Sequence, residues 1–119
     1  MANQEQLDLL QQESMETWKR WRLVHPDLLL NLDGADLSEW NLGGRNFSYA
    51  RLRGANLTQT DLNHANLSHA LLNSSNLSEV NLASANLSED NLDDAYLQGA
   101  NLTGVLLTVE QAQAREPLC

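Results

Sequence analysis

Leucine returns at every fifth residue from 32 to 107, and only Phe47 departs from it. This spacing excludes both ordinary periodic structures. On a helix, at about 100° per residue, each leucine would stand ~140° round from the last, so no apolar stripe would form. In a straight strand side chains alternate faces, and an odd spacing would send successive leucines to opposite sides. A short extended piece followed by a corner, repeated, resets the facing at each bend and returns every leucine to one interior. The chain is expected to coil.

The neighbours of the leucines fit that interior. Two residues before each centre stand eight alanines, at 35, 50, 55, 65, 70, 85, 95 and 100, with Ser75, Thr60, Val80, Val105 and Leu30 among the rest. Small inner neighbours let a coil close tightly. Immediately before the centre stands Asn at 31, 41, 46, 56, 66, 76, 81, 86, 91 and 101, and Asp at 36 and 61. These side chains bond to nearby backbone and tolerate corner conformations, so they are expected to brace the bends.

The resulting A-[N/D]-L-x-x pattern, sixteen repeats over residues 30 to 109, resembles the pentapeptide-repeat family. The resemblance implies an all-β fold: a right-handed quadrilateral parallel β-helix in which four pentapeptides make one twenty-residue coil, about four coils in all. Solenoid logic agrees, because one repeat cannot bury its own apolar side whereas stacked neighbours can. The expected division is a capping helix over 1–27, the β-helix over 28–109 and a C-terminal cap over 110–119.

Both ends of such a solenoid expose apolar core and unpaired strand edges unless they are covered. Residues 4 to 24 supply one cover, with Leu7, Leu10, Met15, Trp18 and Trp21 at helix-compatible spacings. Pro26 ends that helix near His25. Trp18 and Trp21 are expected to lie over the first coil. The rival reading of "WKRWR" as a nucleic-acid patch is disfavoured by a net charge of −9. At the other end Thr108 and Gln111 form a capping-box arrangement and Pro117 stops the segment, predicting a short helix.

Composition points to one small domain. No apolar run approaches the ~20 residues of a membrane span, and the N-terminus has neither the basic start nor the apolar core of a signal peptide, so a cytoplasmic location is expected. Cys119, the lone cysteine, offers no internal disulfide and no evident nucleophile.

Two inward positions break the pattern. Arg45 is expected either to pair with Glu13 or Glu16 of the capping helix or to bend out to water; Asp90 is expected to accept backbone N–H groups at a corner. Trp40 also replaces the usual small residue. On the outside, columns at intervals of twenty run Ser48, Ser68, Ser88, Thr108 and Ser38, Thr58, Ser78, Gln98, hydroxyl ladders expected to bond between coils. Glycines 43 and 44 fall at a corner.

A shaft packed with Leu and Ala has no cleft, and the sequence contains no Ser-His-Asp or Cys-His set, phosphate loop or metal-ligand constellation. No catalytic, cofactor-binding or metal residues are assigned, and no cofactor is expected. A metal-dependent enzyme built on His64 and His69 is the weakest alternative. Charge is the more telling feature: apart from Arg115, every basic residue lies between 19 and 53, while 54 to 114 hold Asp61, Glu79, Glu89, Asp90, Asp93, Asp94 and Glu110. Family members that inhibit or protect DNA gyrase are acidic rods resembling duplex DNA, and the resemblance makes a DNA-mimic role the chief alternative. Three acidic coils span ~14 Å at ~4.8 Å each, along which B-DNA carries about eight phosphates, close to these seven carboxylates. Length opposes it: about four coils make a shaft of ~19 Å, matching only ~6 base pairs, and the C-terminal segment has little apolar surface with which to dimerise.

The preferred expectation is a non-enzymatic, rigid acidic module for protein interaction or scaffolding, monomeric or weakly dimeric, with an unidentified protein partner and no direct nucleic-acid or membrane binding. The candidate interaction residues are Tyr49, Leu71, Tyr96 and Leu106, outward positions that are unusually apolar, together with Glu89, Asp93 and Asp94. The resemblance is strongest to compact, helix-capped bacterial members, including those of cyanobacteria.

Overall fold

The computed structural model describes residues 2–12, 15–25 and 29–108. Parallel bridges join the residue before each centre to the one twenty positions on, from Asn31 with Arg51 and Asp36 with Asn56 through to Asn86 with Leu106. Around each bridge the N–H bonds run both ways: Leu32 donates to Arg51 C=O at 2.7 Å, and Arg51 donates to Leu30 C=O at 2.8 Å. This is the slanted, evenly spaced pattern of a parallel ladder. It appears as isolated bridges because only the residue before each leucine is extended enough to pair before the chain bends again.

The bends share one geometry. The third residue after a leucine returns its N–H to the leucine carbonyl, as Ala65 does to Leu62 and Ala70 to Leu67, both at 3.0 Å. The residue just before that donor has positive φ at every fifth position from Gly34 to Gly104, between 56° and 75°. A left-handed residue at the third place of a four-residue turn marks type II, which favours glycine. Here ten of these positions are not glycine, among them Glu39, Tyr49, His64, His69 and Ser84. Four bends in twenty residues give a circuit of four sides. We number the sides from the first circuit: side one is 30–34, side two 35–39, side three 40–44 and side four 45–49.

The asparagines brace the bends, as expected, without occupying the left-handed positions. Asn66 Oδ1 accepts the Ser68 N–H and the Ser68 hydroxyl, and Asn56 treats Thr58 the same way. Asp36 accepts both groups of Ser38, which lowers its pKa. The hydroxyls therefore bond within their own repeat, a correction to the expected ladders between coils: an acceptor two residues back is nearer than anything on the next circuit. Among the coil-to-coil side-chain bonds are those of amides, where Asn81 donates to Asp61 and Asn101 to Asn81.

Inside, the central leucines from 32 to 92 are buried with Phe47, Val80 and the inward alanines from 35 to 85. The polar inward residues find carbonyls: Thr60 Oγ1 donates to Leu37 C=O at 2.7 Å and Ser75 Oγ to Leu72 C=O at 2.6 Å. Trp40 is half-buried, and Asp90 is buried with its N–H closing a turn onto Leu87. Arg45 is 8% exposed and its Nη1 donates to Asn41 C=O at 3.1 Å, so it does not bend out to water. Burial pulls its pKa down. Gly43 has no left-handed φ; a Cβ there would meet the Asn63 side-chain oxygen on the next circuit, which could turn aside, and would stand 3.2 Å from the Asn63 carbonyl oxygen, so closeness rather than turn geometry favours glycine. Gly44 does occupy a left-handed position.

The N-terminal cover consists of two helices, α1 (Gln4–Gln12) and α2 (Met15–Val24), where the sequence suggests a continuous one. Trp18 is buried on Phe47, ring centroids 5.8 Å apart, and stacks on Trp21 at 5.5 Å. α1 also completes the ladder. Asn31, with no circuit above it, receives the Asn3 N–H on its carbonyl at 2.7 Å and donates its own N–H to Gln6 Oε1 at 2.8 Å, while Gln6 Nε2 donates to Leu29 C=O. The Gln6 carboxamide thus replaces a missing strand, covering an edge that would otherwise attract another chain. The C-terminal helix expected after Thr108, Glu13 as a partner for Arg45 and the packing of the Met15 side chain fall outside the described residues.

Candidate functional surfaces

With the interior filled by side chains, the outer sides and the cover are what a partner can reach. The candidates from the sequence do not converge on one of them. Tyr49 (56% exposed) and Glu89 share the corner column after side four, with His69 between them. Tyr49 lies flat on His69, centroids 4.6 Å apart and planes 2° from parallel. Tyr96 and Leu106, 66% and 58% exposed, bridge to Asn76 and Asn86, on sides two and four. Asp93 and Asp94 are exposed on side one, and Leu71, on that same side, is half-buried rather than exposed, because Arg51 and Asn91 stack directly above and below it.

The "WKRWR" stretch does not present interleaved aromatics and cations. Trp18 is buried in the cover and Arg22 is 8% exposed, its Nη2 directed at Ser48 C=O at 3.4 Å. Lys19 and Arg20 alone of its cations are exposed. His64 sits at a corner beside Asn63, whose amide nitrogen is 3.3 Å from its Nδ1. Among the described residues no three His, Cys, Asp or Glu side chains gather as a metal site would require.

Two features escaped the sequence reading. The first is an ion cluster on side one: Asp33 takes Arg53 Nη2 at 2.7 Å and Arg51 Nη2 at 2.9 Å, and accepts the Arg53 backbone N–H. Burial works to raise the Asp33 pKa, but hydrogen bonds from Arg53 and Arg51 and the charge of Arg53 outweigh it, leaving the carboxyl below its usual range. The signal was available, since 33 and 53 are twenty apart and opposite in charge. The second is a groove of about 350 Å³ between α2 and side four, lined by Lys19, Arg22, Leu23, Asn46 and Ser48. Leu23 is 80% exposed and Val24, next to it, 70%. Nothing in a repeat pattern announces how a cap helix sits, so this groove was not legible. A second concavity, on side three, is lined by Gly43, Gly44, Arg45, Asp61, Asn63 and His64, with Asn41. Among the described residues no helix is long and apolar enough to cross a membrane.

Comparison with known proteins bears on the shaft. The solved structure of QnrB1, a plasmid-mediated fluoroquinolone resistance protein, is similar at 25% identity with a TM-score of 0.64, over 71% of this chain and 40% of that one. The chain thus spans well under half the length of that relative. The pentapeptide-repeat proteins alr5209 from Nostoc PCC 7120 (23% identity, TM-score 0.41, 80% of this chain and 96% of that one) and Rfr23 from Cyanothece 51142 (29%, 0.39, 67% and 64%) also match. Among curated proteins none matches. The profile described as "Pentapeptide repeats (8 copies)" matches residues 35–73 and 75–108. With bridges at twenty, bends at five and this match over more than half its length, the chain belongs to the pentapeptide-repeat family and takes that family's right-handed β-helix.

Proposed function

We propose that this protein is a non-enzymatic interaction module that presents a rigid acidic shaft of about four coils to a protein partner. The observation that carries the proposal is the filled interior. From Leu32 to Leu87 each central residue is at most 2% exposed, so no internal cleft is left for a substrate and recognition falls to the outer sides. Rigidity follows from a ladder in which every coil is bonded to the next, which spares a partner the ordering cost a flexible surface would impose. We assign the cap to 1–27, the shaft to 28–109 and a second cap to 110–119, acting in the cytoplasm.

Acidic residues on the lower coils set the character of the contact. Glu89, Asp93 and Asp94 are exposed, and the sequence has no Lys or Arg between 54 and 114. A contact made through them weakens with salt, because exposed charges are screened within ~10 Å at 0.1 M ionic strength. The test is capture of partners from the native host, followed by reconstitution of each with purified protein. The module reading expects a salt-sensitive complex lost on Glu89→Gln, Asp93→Asn and Asp94→Asn together. Turnover of a small substrate by the purified protein would overturn it.

A DNA-mimic role at gyrase is the second reading, favoured by the same carboxylates and by the likeness to QnrB1. The molecule's longest dimension is 37 Å, cap included, so a single copy offers little length of mimicked duplex. Inhibition of gyrase supercoiling that disappears in the triple variant would establish this reading over the first.

A further inference from the structure

The cover treats two edges of the first circuit differently. On side one, Asn31 has both backbone groups satisfied by α1, through Gln6 and Asn3. On side four the equivalent residue is Asn46. In the circuits below, its counterparts Asn66 and Asn86 donate upward to the carbonyls of Arg45 and Ala65 and accept upward from Phe47 and Leu67. Asn46 has no circuit above it, and no described residue pairs with its N–H or its C=O. α2 stands off instead, leaving the groove into which that edge faces.

Three kinds of group meet there. The open edge of Asn46 supplies one backbone donor and one acceptor. Lys19 supplies exposed positive charge, and among the described residues no carboxylate lines the groove, although the chain as a whole carries −9. Leu23 supplies an apolar wall, continued by exposed Val24; Leu29 and Tyr49, 58% and 56% exposed, mark the corner column at the end of the same side.

We propose that this groove binds an extended acidic segment of a partner protein by strand addition to side four. The segment's backbone pairs with the Asn46 N–H and C=O, its carboxylates meet Lys19, and an apolar side chain packs on Leu23. Main-chain bonds give such a contact its affinity and alternate side chains its specificity. A flat anionic membrane could meet Lys19, but it offers no strand to pair with both the N–H and the C=O of Asn46. The inference rests on the interaction-module reading and names a surface for it distinct from the acidic coils.

The test uses the full chain and blocked, fluorescein-labelled ten-residue peptides: alternating Glu and Val, the same with Gln for Glu, the same with Lys for Glu, and the Glu–Val peptide N-methylated at alternate residues. Fluorescence anisotropy should show the Glu–Val peptide binding at least tenfold more tightly than each of the other three, with the Asn46 amide becoming protected from hydrogen exchange. The exposed positions Lys19→Glu and Leu23→Asp should together weaken it at least tenfold with the melting temperature unchanged. No binding of the Glu–Val peptide, equal binding of the N-methylated form, or binding indifferent to the double variant would overturn the proposal. So would self-association, or binding to phosphatidylserine vesicles, that the same double variant abolishes, since the groove would then serve a second copy or a membrane. A reconstituted partner sensitive to the acidic-coil variants but indifferent to this double variant and to the peptide would sink the groove alone and leave the module reading standing.

Discussion

The first and last circuits are written in the same five-residue pattern, yet they are packed differently. In the first, Leu32, Leu37, Leu42 and Phe47 are all at most 2% exposed beneath Trp18 and the helices. In the last, Leu97, Leu102 and Leu107 are only partly buried, as are Ala95, Ala100 and Val105 beside them. A pentapeptide places its leucine on the axis, but it does not bury it; what stacks above or below does. Burial in a solenoid is a property of neighbours.

The largest expected effect tests that directly. Leu67, at 0% exposure in the middle of the shaft, should lose about 2 to 5 kcal/mol on truncation to Ala, the usual range for a buried leucine. Leu102→Ala in the last circuit should lose about half as much or less, because part of its side chain is already in solvent. Chemical denaturation of the two variants measures both. Equal losses would show that the last circuit is as well covered as the middle. A loss for the outward Ser68→Ala as large as for Leu67→Ala would break the inward–outward assignment itself.

Next in size is the closure of the first edge. Gln6→Ala removes both the acceptor for the Asn31 N–H and the donor to Leu29 C=O. Two backbone groups are left without their partner, and the expected loss is about 1 to 3 kcal/mol. Gln6→Glu keeps the acceptor and loses the donor, so it should fall between the two proteins. If Gln6→Ala melts with the parent, water or a neighbouring chain satisfies the edge equally well, and the distinction drawn between the covered and open sides of the first circuit weakens.

The shaft was legible from sequence because its signal is repeated: a register counted over sixteen centres fixes which residues point inward, and the buried set follows it closely. The exceptions Arg45 and Asp90 were visible as exceptions. Their contacts were not, since a register says which way a side chain points and not which carbonyl or turn it meets, as Arg45 meets Asn41 C=O. The left-handed position was also missed. Asn and Asp tolerate that conformation, which drew attention to the residue before the leucine, whereas the turn places it two residues after, on residues as unlike as Glu39, Tyr49 and Ser84. The groove beside α2 was beyond reach for a different reason: a single non-repeated helix carries no register.

A smaller effect separates the ends by pH. Asp33 holds Arg51 and Arg53 on the first two circuits, while the same column continues below as Asn73 and Asp93, with no cation. A carboxyl whose folded pKa is depressed adds stability above its unfolded pKa, and that contribution is lost as pH falls through the folded value. The parent should therefore lose stability relative to Asp33→Asn as pH drops below about 4, and the two should converge in strong acid. Above pH 5 the variant should be weaker by about 1 kcal/mol, a modest figure because both arginines are more than a third exposed and their pairs are screened. A difference between the two proteins that stays constant from pH 7 to pH 2 would assign the role of Asp33 to shape rather than charge.

The smallest effect concerns the corners. Gly34 opens the first circuit and Gly104 closes the last, both with φ of 70°. Alanine at such a φ costs about 1 to 2 kcal/mol, but it also restricts the unfolded chain, which returns roughly 0.4 to 1 kcal/mol. At Gly34 no atom lies within 4 Å of the added Cβ, so Gly34→Ala should show only that difference, a loss near 0.5 to 1 kcal/mol. At Gly104 the Cβ would meet Ser84 Oγ at 3.4 Å, an ordinary contact. Any difference between the two variants then reports how firmly each circuit is held. If the last circuit yields its turn more easily, Gly104→Ala should be the milder change, and Ser84→Gly, which relieves strain on the well-held third circuit, should come out near neutral.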